Sequence, residues 1–210
     1  PEDGFSEDAV RRARAGYYAC ISRVDEKLGH LLDALERSGQ RENTIVVYTS
    51  DHGEMLGDHG LWMKSSLFEN SIRIPMILSM PQRFKAGRTI DANVSLLDLA
   101  ATLCDAGGAD TSGMDGRSLL PMLDNEMNAT ADWPDDVRVE YYATWTDRPV
   151  AVYLRGDVKL IYALDDPPQL FNIREDPLET RDLATDPAHE TTHQTMWQAL
   201  IDNWSAEQLN

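Results

Sequence analysis

The sequence predicts an α/β chain in which a long helix and buried strands precede a small antiparallel sheet closed by a terminal helix. Three observations carry this expectation. Apolar residues recur at helical spacing over about seven turns near the start. A β-branched run, Thr44-Ile45-Val46-Val47-Tyr48-Thr49, follows and reads as a fully buried strand. From Val137 onward the pattern alternates, with a Gly-Asp turn between two of the runs, as in a meander of hairpins.

The first helix opens at Ser6, a capping residue followed by Glu7 and Asp8, whose charges suit the positive end of a helix dipole. Its stripe is Val10, Tyr17, Ile21, Val24, Leu28, Leu31 or Leu32, and Leu35, and Ser38-Gly39 ends it. Asp25 and Glu26 read as a solvated helix face, and His30 as a surface residue. Pro75 to Met80 is a second short buried strand. Ser95 and Asp98 resemble a capping box for a helix from Leu96 to Ala106, stopped at Gly107-Gly108. Asn125 to Asp136 is polar and reads as a linker, so the expected division is 1–124, a linker at 125–136, and 137–210. In the last part, Val137–Tyr141, Ala151–Leu154 and Lys159–Tyr162 are strands, and Gly156-Asp157 turns between the last two. Glu190 to Trp204 is a helix with Met196, Leu200 and Trp204 on one stripe.

The bulk numbers bound the function. At 210 residues and 42% apolar content, the chain can bury one sizeable core. A formal charge of −17 argues against nucleic-acid binding and against docking on anionic membranes. No apolar run approaches the roughly 20 residues of a membrane-spanning helix. The start, Pro1-Glu2-Asp3-Gly4, has neither an initiator Met nor a signal-peptide pattern and reads as cut from a longer protein. Compartment is therefore open, with cytoplasmic favoured over periplasmic or secreted. Cys20 and Cys104 read as small buried hydrophobes in helices. Three Asn-x-Ser/Thr matches, at Asn93, Asn128 and Asn203, carry little weight without a secretory context.

The chemistry concentrates where the first strand breaks into Ser50-Asp51-His52-Gly53. Ligand-binding groups of open α/β sheets collect beyond the carboxyl ends of strands. A carboxylate beside an imidazole there suits a divalent cation. Gly53 allows a sharp turn, and Lys64, twelve residues after His52, is a point charge able to meet an anionic oxygen. His59 reads as a loop hydrogen-bonding residue.

The wording from Thr44 to Glu69, with Ser-Asp-His-Gly, Gly60-Leu61-Trp62-Met63-Lys64, Phe68-Glu69 and then Ile72-Arg73-Ile74-Pro75, resembles the late metal-site segment of the sulfatase family. Tyr17-Tyr18-Ala19, Val24 to Gly29, Val94 to Leu123, and Gln169–Asn172 followed by Asp176-Pro177-Leu178-Glu179 extend the resemblance over nearly the whole chain. It implies the C-terminal part of an alkaline-phosphatase-like α/β/α sandwich, followed by a small antiparallel sheet and a terminal helix. The Asp-His pairing is closer to choline-sulfatase-like, iduronate-sulfatase-like and phosphonate-monoester-hydrolase-like branches.

By that resemblance, Asp51 and His52 are metal ligands and Lys64 contacts the sulfate oxygens. Asp51 would also lie near the nucleophile's hydroxyl and assist its deprotonation. The expected cation is calcium, with manganese as the alternative, and the expected partner is a small-molecule sulfate ester. His52 must be neutral to ligate, so activity is expected to fall at low pH. The formylglycine nucleophile and the early Asp-Asp metal pair have no counterpart in this sequence, so these 210 residues alone are expected to hydrolyse nothing. The alternatives are a phosphonate or phosphodiester hydrolase of the same superfamily, and a non-catalytic binding or assembly module that retains the fold. A homo-oligomer is expected only by analogy.

Overall fold

The computed structural model describes residues 5–64, 66–124, 130–142, 148–202 and 204. Helix α1 (Glu7–Arg37) starts where Ser6 accepts a hydrogen bond from the Ala9 amide and ends at Ser38, as its caps predict. Its burial differs from expectation. Among the described residues nothing covers α1 completely: none of its residues is buried, and Tyr17, Tyr18, Ile21, Val24 and Leu31 are exposed. Cys20 on α1 and Cys104 on α3 (Leu96–Ala106) are exposed free thiols, which corrects the expectation that both are buried.

Strand β1 (Val46–Thr49) pairs antiparallel with β2 (Met76–Ser79) in a two-stranded sheet. Every residue of β1 is half-buried, and Ile77 of β2 is exposed, so neither strand is fully buried as its apolar run suggested. Two strands cannot cover each other's faces, and interior-type residues are left open wherever no second layer lies on them.

The N-terminus of α3 is pinned to the chain that follows it. Ser95 accepts from the Leu97 amide while Asp98 accepts from the Ser95 amide, completing the capping box. The other Asp98 oxygen takes the Arg117 amide at 2.8 Å, and Thr102 takes the Leu119 amide at 2.8 Å. This close approach needs Gly116, where a Cβ would stand 2.1 Å from the Leu97 carbonyl. A short helix, α4 (Leu120–Leu123), ends this part.

The remaining strands form a meander, β3 (Asp136–Tyr141), β4 (Val150–Arg155), β5 (Val158–Ala163) and β6 (Gln169–Asn172), antiparallel throughout and in that order. One face packs Ala151, Tyr153, Leu160 and Leu170 against Met196, Leu200 and Trp204 of the C-terminal segment, which includes α5 (Glu190–Ile201). The stripe read from the sequence is the stripe that is buried. The opposite face packs Val152, Ile161 and Phe171 against Leu67, Phe68 and Ile72, the segment just after Lys64. The sheet is therefore apolar on both sides, and one side touches the chemistry-bearing loop.

A second tie joins the two parts at Asn93. Its amide nitrogens reach Asp135 and Gly156, its carbonyl accepts from Trp133, and Ser95 caps α3. The Asn93 side chain is thus committed to structure rather than offered for glycosylation. Asn203, Asn128 and residues 125–129 of the linker lie outside the described residues.

The Asp-Pro-x-Glu turn is held by Asp176, which accepts from the main-chain amides of Thr180 and Arg181, each at 2.7 Å. The Arg181 amide is the largest influence on its carboxyl; with the Thr180 donors it outweighs slight desolvation and lowers the pKa below the ordinary aspartate value. A lowered folded-state pKa contributes stability above the unfolded value and loses it as pH falls through the folded one. The stability difference between the parent and Asp176→Asn is therefore expected to be constant above about pH 4 and to shrink below it. Urea midpoints measured across that range check this.

Candidate active site

The turn after β1 is closed by its own side chains. Ser50 Oγ donates to the His52 carbonyl at 2.8 Å, and Asp51 Oδ1 accepts from the His52 amide at 3.0 Å. His52 Nδ1 lies 2.8 Å from the Gly53 carbonyl oxygen. A carbonyl only accepts, so Nδ1 carries a proton, and whenever the ring is neutral its Nε2 lone pair is left for a ligand. That Nε2 stands 3.5 Å from Asp51 Oδ2. One carboxylate oxygen and one imidazole nitrogen are thus presented side by side.

Asp51 is open to solvent, with 80% of its side chain exposed. Slight desolvation raises its pKa. Main-chain hydrogen bonds from its own and the His52 amides, together with the His52 and Lys64 charges, outweigh this and hold the carboxyl below its ordinary value. The Lys64 ammonium thus acts on the same carboxylate that neighbours His52. Asp51 and His52 stand side by side, and Lys64 lies exposed further along the loop that follows them. A groove of about 480 Å³ beside Gly156 and Thr195, and another of about 350 Å³ between α1 and the β1–β2 sheet, both lie elsewhere.

The spacing between His52 and Lys64 is set by a one-turn helix that the sequence reading did not identify, α2 (Glu69–Ile72). Its buried Ser71 holds both ends of the loop. The Ser71 carbonyl accepts from the Gly53 amide at 2.7 Å, and the Ser71 hydroxyl donates to the Lys64 carbonyl. Gly53 is required less for its own turn than for this approach, since a Cβ there would stand 2.1 Å from the Asn70 carbonyl oxygen.

The intervening loop is closed by Glu54, which accepts from the Leu56 and Met63 amides, and by Asp58, which accepts from Arg14 and Asn70. Leu56, His59 and Met63 have positive φ of 50°, 53° and 69°, backbone conformations costly for side-chain-bearing residues. His59 stacks on Phe68 with ring centroids 4.0 Å apart. It packs on the loop's own aromatic residue, while His52 is oriented by the Gly53 carbonyl.

A buried cluster beneath α2 also escaped the sequence reading. Lys159 of β5 is fully buried; its Nζ lies 3.0 Å from Glu69 Oε1 and 2.7 Å from Glu179 Oε1. The Glu69 contact is an aligned hydrogen bond, whereas the Glu179 contact is an ion pair outside hydrogen-bonding angles. Glu179 Oε2 also accepts from the Glu69 amide at 2.6 Å. A signal was present: Lys159 interrupts a strand whose neighbours are apolar on both faces, a position where lysine is tolerated only with a buried partner.

Among the described residues no group of three or more His, Cys, Asp or Glu side chains gathers as a metal cluster. No helix among them is long and apolar enough to cross a membrane.

The family model described as "Sulfatase" matches residues 2–109, and "N-sulphoglucosamine sulphohydrolase, C-terminal" matches residues 57–206. A choline-sulfatase of Rhizobium meliloti is 38% identical over 186 residues, covering 87% of this chain and 35% of that protein. An N-acetylglucosamine-6-O-sulfatase of Bacteroides thetaiotaomicron is 36% identical over 173 residues, covering 80% and 31%. The crystal structure of a phosphonate monoester hydrolase of Agrobacterium radiobacter superposes with a TM-score of 0.84 at 27% identity, covering 94% of this chain and 42% of that one. The chain spans about a third of the length of the curated relatives it matches. With two family models each matching more than half of its residues, the chain belongs to the sulfatase family.

Proposed function

We propose that this chain is the part of a sulfuric ester hydrolase that supplies two metal ligands, Asp51 and His52, and a sulfate-contacting lysine, Lys64. The observation that carries the reading is the approach of Asp51 Oδ2 to His52 Nε2, 3.5 Å apart, with His52 Nδ1 turned to the Gly53 carbonyl. The donor set fits part of a hard-cation site. Calcium takes about six to eight oxygen ligands, so the rest of the shell comes from the portion of the family's length outside this chain, as does the nucleophile.

When bound, a calcium ion, or manganese in its place, supplies Lewis-acid stabilisation of charge on the transferred group. Lys64 adds a directed positive charge to the same oxygens, which favours the more highly charged transition state. Asp51, ionised over the working pH range by its lowered pKa, ligates and can accept a proton from a neighbouring hydroxyl. The Nδ1–H bond to Gly53 holds the His52 ring so that Nε2 faces the ligand side.

The test is turnover of a chromogenic aryl sulfate by the full-length protein with added calcium or manganese. Lys64→Ala is expected to lower kcat/KM by about 10²–10³-fold, and Asp51→Ala to lower it with loss of bound metal. Residues 1–210 alone are expected to give no turnover. Unchanged kcat/KM in Lys64→Ala would overturn the reading. A second reading, phosphonate monoester hydrolysis, draws on the superposition with the Agrobacterium enzyme, and a parallel assay on a phosphonate monoester decides between them.

A further inference from the structure

We propose that the buried Glu69–Lys159–Glu179 cluster is a positioning device through which the C-terminal sheet sets the separation of Lys64 from Asp51 and His52. The proposal rests on the sulfate-ester reading above for its catalytic consequence, but its structural claim is independent of it.

The path is short and every link is a named contact. Lys159 projects from the start of β5, opposite Phe171 and on the face that packs against Leu67, Phe68 and Ile72. Its ammonium grips Glu69, the first residue of α2, and the Glu69 amide is fixed to Glu179. Two residues on, Ser71 accepts the Gly53 amide and donates to the Lys64 carbonyl. One end of α2 is therefore anchored in the sheet, and its other end holds both halves of the candidate site.

Burial makes the anchor stiff. The Lys159 side chain is 0% exposed, that of Glu179 2% and that of Glu69 11%, so water competes little with these contacts. Charges in such surroundings tolerate little displacement, because each partner left unpaired is costly. A helix of one turn has no rigidity of its own; the anchor supplies it. Glu69, Lys159 and Glu179 lie far apart in sequence, and none reaches the exposed Asp51–His52 surface through a described contact of its own. Their role is positioning.

The test compares the full-length parent with Lys159→Met, Lys159→Arg and Glu69→Gln. Hydrogen exchange is read at the Gly53 amide and across residues 61–66, and steady-state kinetics are run on 4-nitrophenyl sulfate well below each melting midpoint. Lys159→Met is expected to speed exchange at Gly53 and 61–66 by at least about tenfold, with the β4 amides unchanged. Its kcat is expected to fall about 10–100-fold, the scale of a misplaced catalytic group, with KM changed less than about threefold. Lys159→Arg is expected to restore most of both.

Should Lys159→Met not fold, the near-isosteric Glu69→Gln carries the same exchange comparison. Exchange at Gly53 and 61–66 equal to the parent's, or faster exchange spread evenly over the sheet, overturns the proposal. So does a kcat that falls only with the folded fraction. A parent inactive on the sulfate ester removes the hydrolase reading instead, and the exchange comparison then decides the positioning claim by itself.

Discussion

Lys159→Ala is expected to cost about 3–5 kcal/mol of stability, the range for removing one partner of a buried ion pair. The reason is what remains. Glu69 and Glu179 would face each other in an interior site with neither a cation between them nor water to screen them. The cost reflects two stranded carboxylates more than the worth of the contacts themselves. Replacing all three residues by apolar side chains of similar volume is accordingly expected to recover part of the loss: no charge is then left buried, but the Glu69 amide loses its Glu179 acceptor. Denaturant unfolding of the single and triple variants measures both values. A single variant within about 1 kcal/mol of the parent would show that water reaches the cluster, against the full burial of Lys159.

Gly53→Ala is expected to damage the site more than its size suggests. The added Cβ would sit 2.1 Å from the Asn70 carbonyl oxygen and 2.9 Å from its carbon. The obstacle is backbone, so the strand-to-loop turn or α2 must move. Either shift breaks the 2.7 Å bond from Gly53 to Ser71 and displaces His52 from Lys64. A stability loss at the upper end of the roughly 1–3 kcal/mol seen for overpacking is expected, with kcat reduced about 10²-fold in the full-length enzyme. Retention of the parent's melting midpoint and kcat would mean that the approach of α2 to Gly53 is looser than these distances.

Elements whose signal is local were legible in the sequence. The Ser6 and Ser95 caps, the Gly156 turn, and the Met196–Leu200–Trp204 stripe each depend on a few neighbouring residues, and each is where it was expected. Asp51, His52 and Lys64 were candidates because their residue types suit a cation and an anion and because the wording around them resembles a known family segment. Their roles are a proposal that a ligand-bound structure has to test.

What failed was burial and long-range pairing. The Val46–Thr49 run looks interior by composition, yet within this chain it has one neighbouring strand and stays half-buried. The periodicity of α1 fixed the helix but not what covers Ile21, Val24 and Leu31. Cys20 and Cys104 followed the general habit of cysteine in the prediction and departed from it in the fold. The Glu69–Lys159–Glu179 cluster joins positions 90 and 110 residues apart, a pairing that no window along the chain can reveal. Helix α2 is a single turn and leaves no periodicity to detect.

The most direct test of the central claim is a structure of the full-length protein with calcium and a sulfate ester bound. It should show an Asp51 carboxylate oxygen about 2.3–2.6 Å from the cation, His52 ligating through Nε2, and Lys64 Nζ within about 3 Å of a sulfate oxygen. A cation held without Asp51 and His52, or a sulfate group out of reach of Lys64, would contradict it.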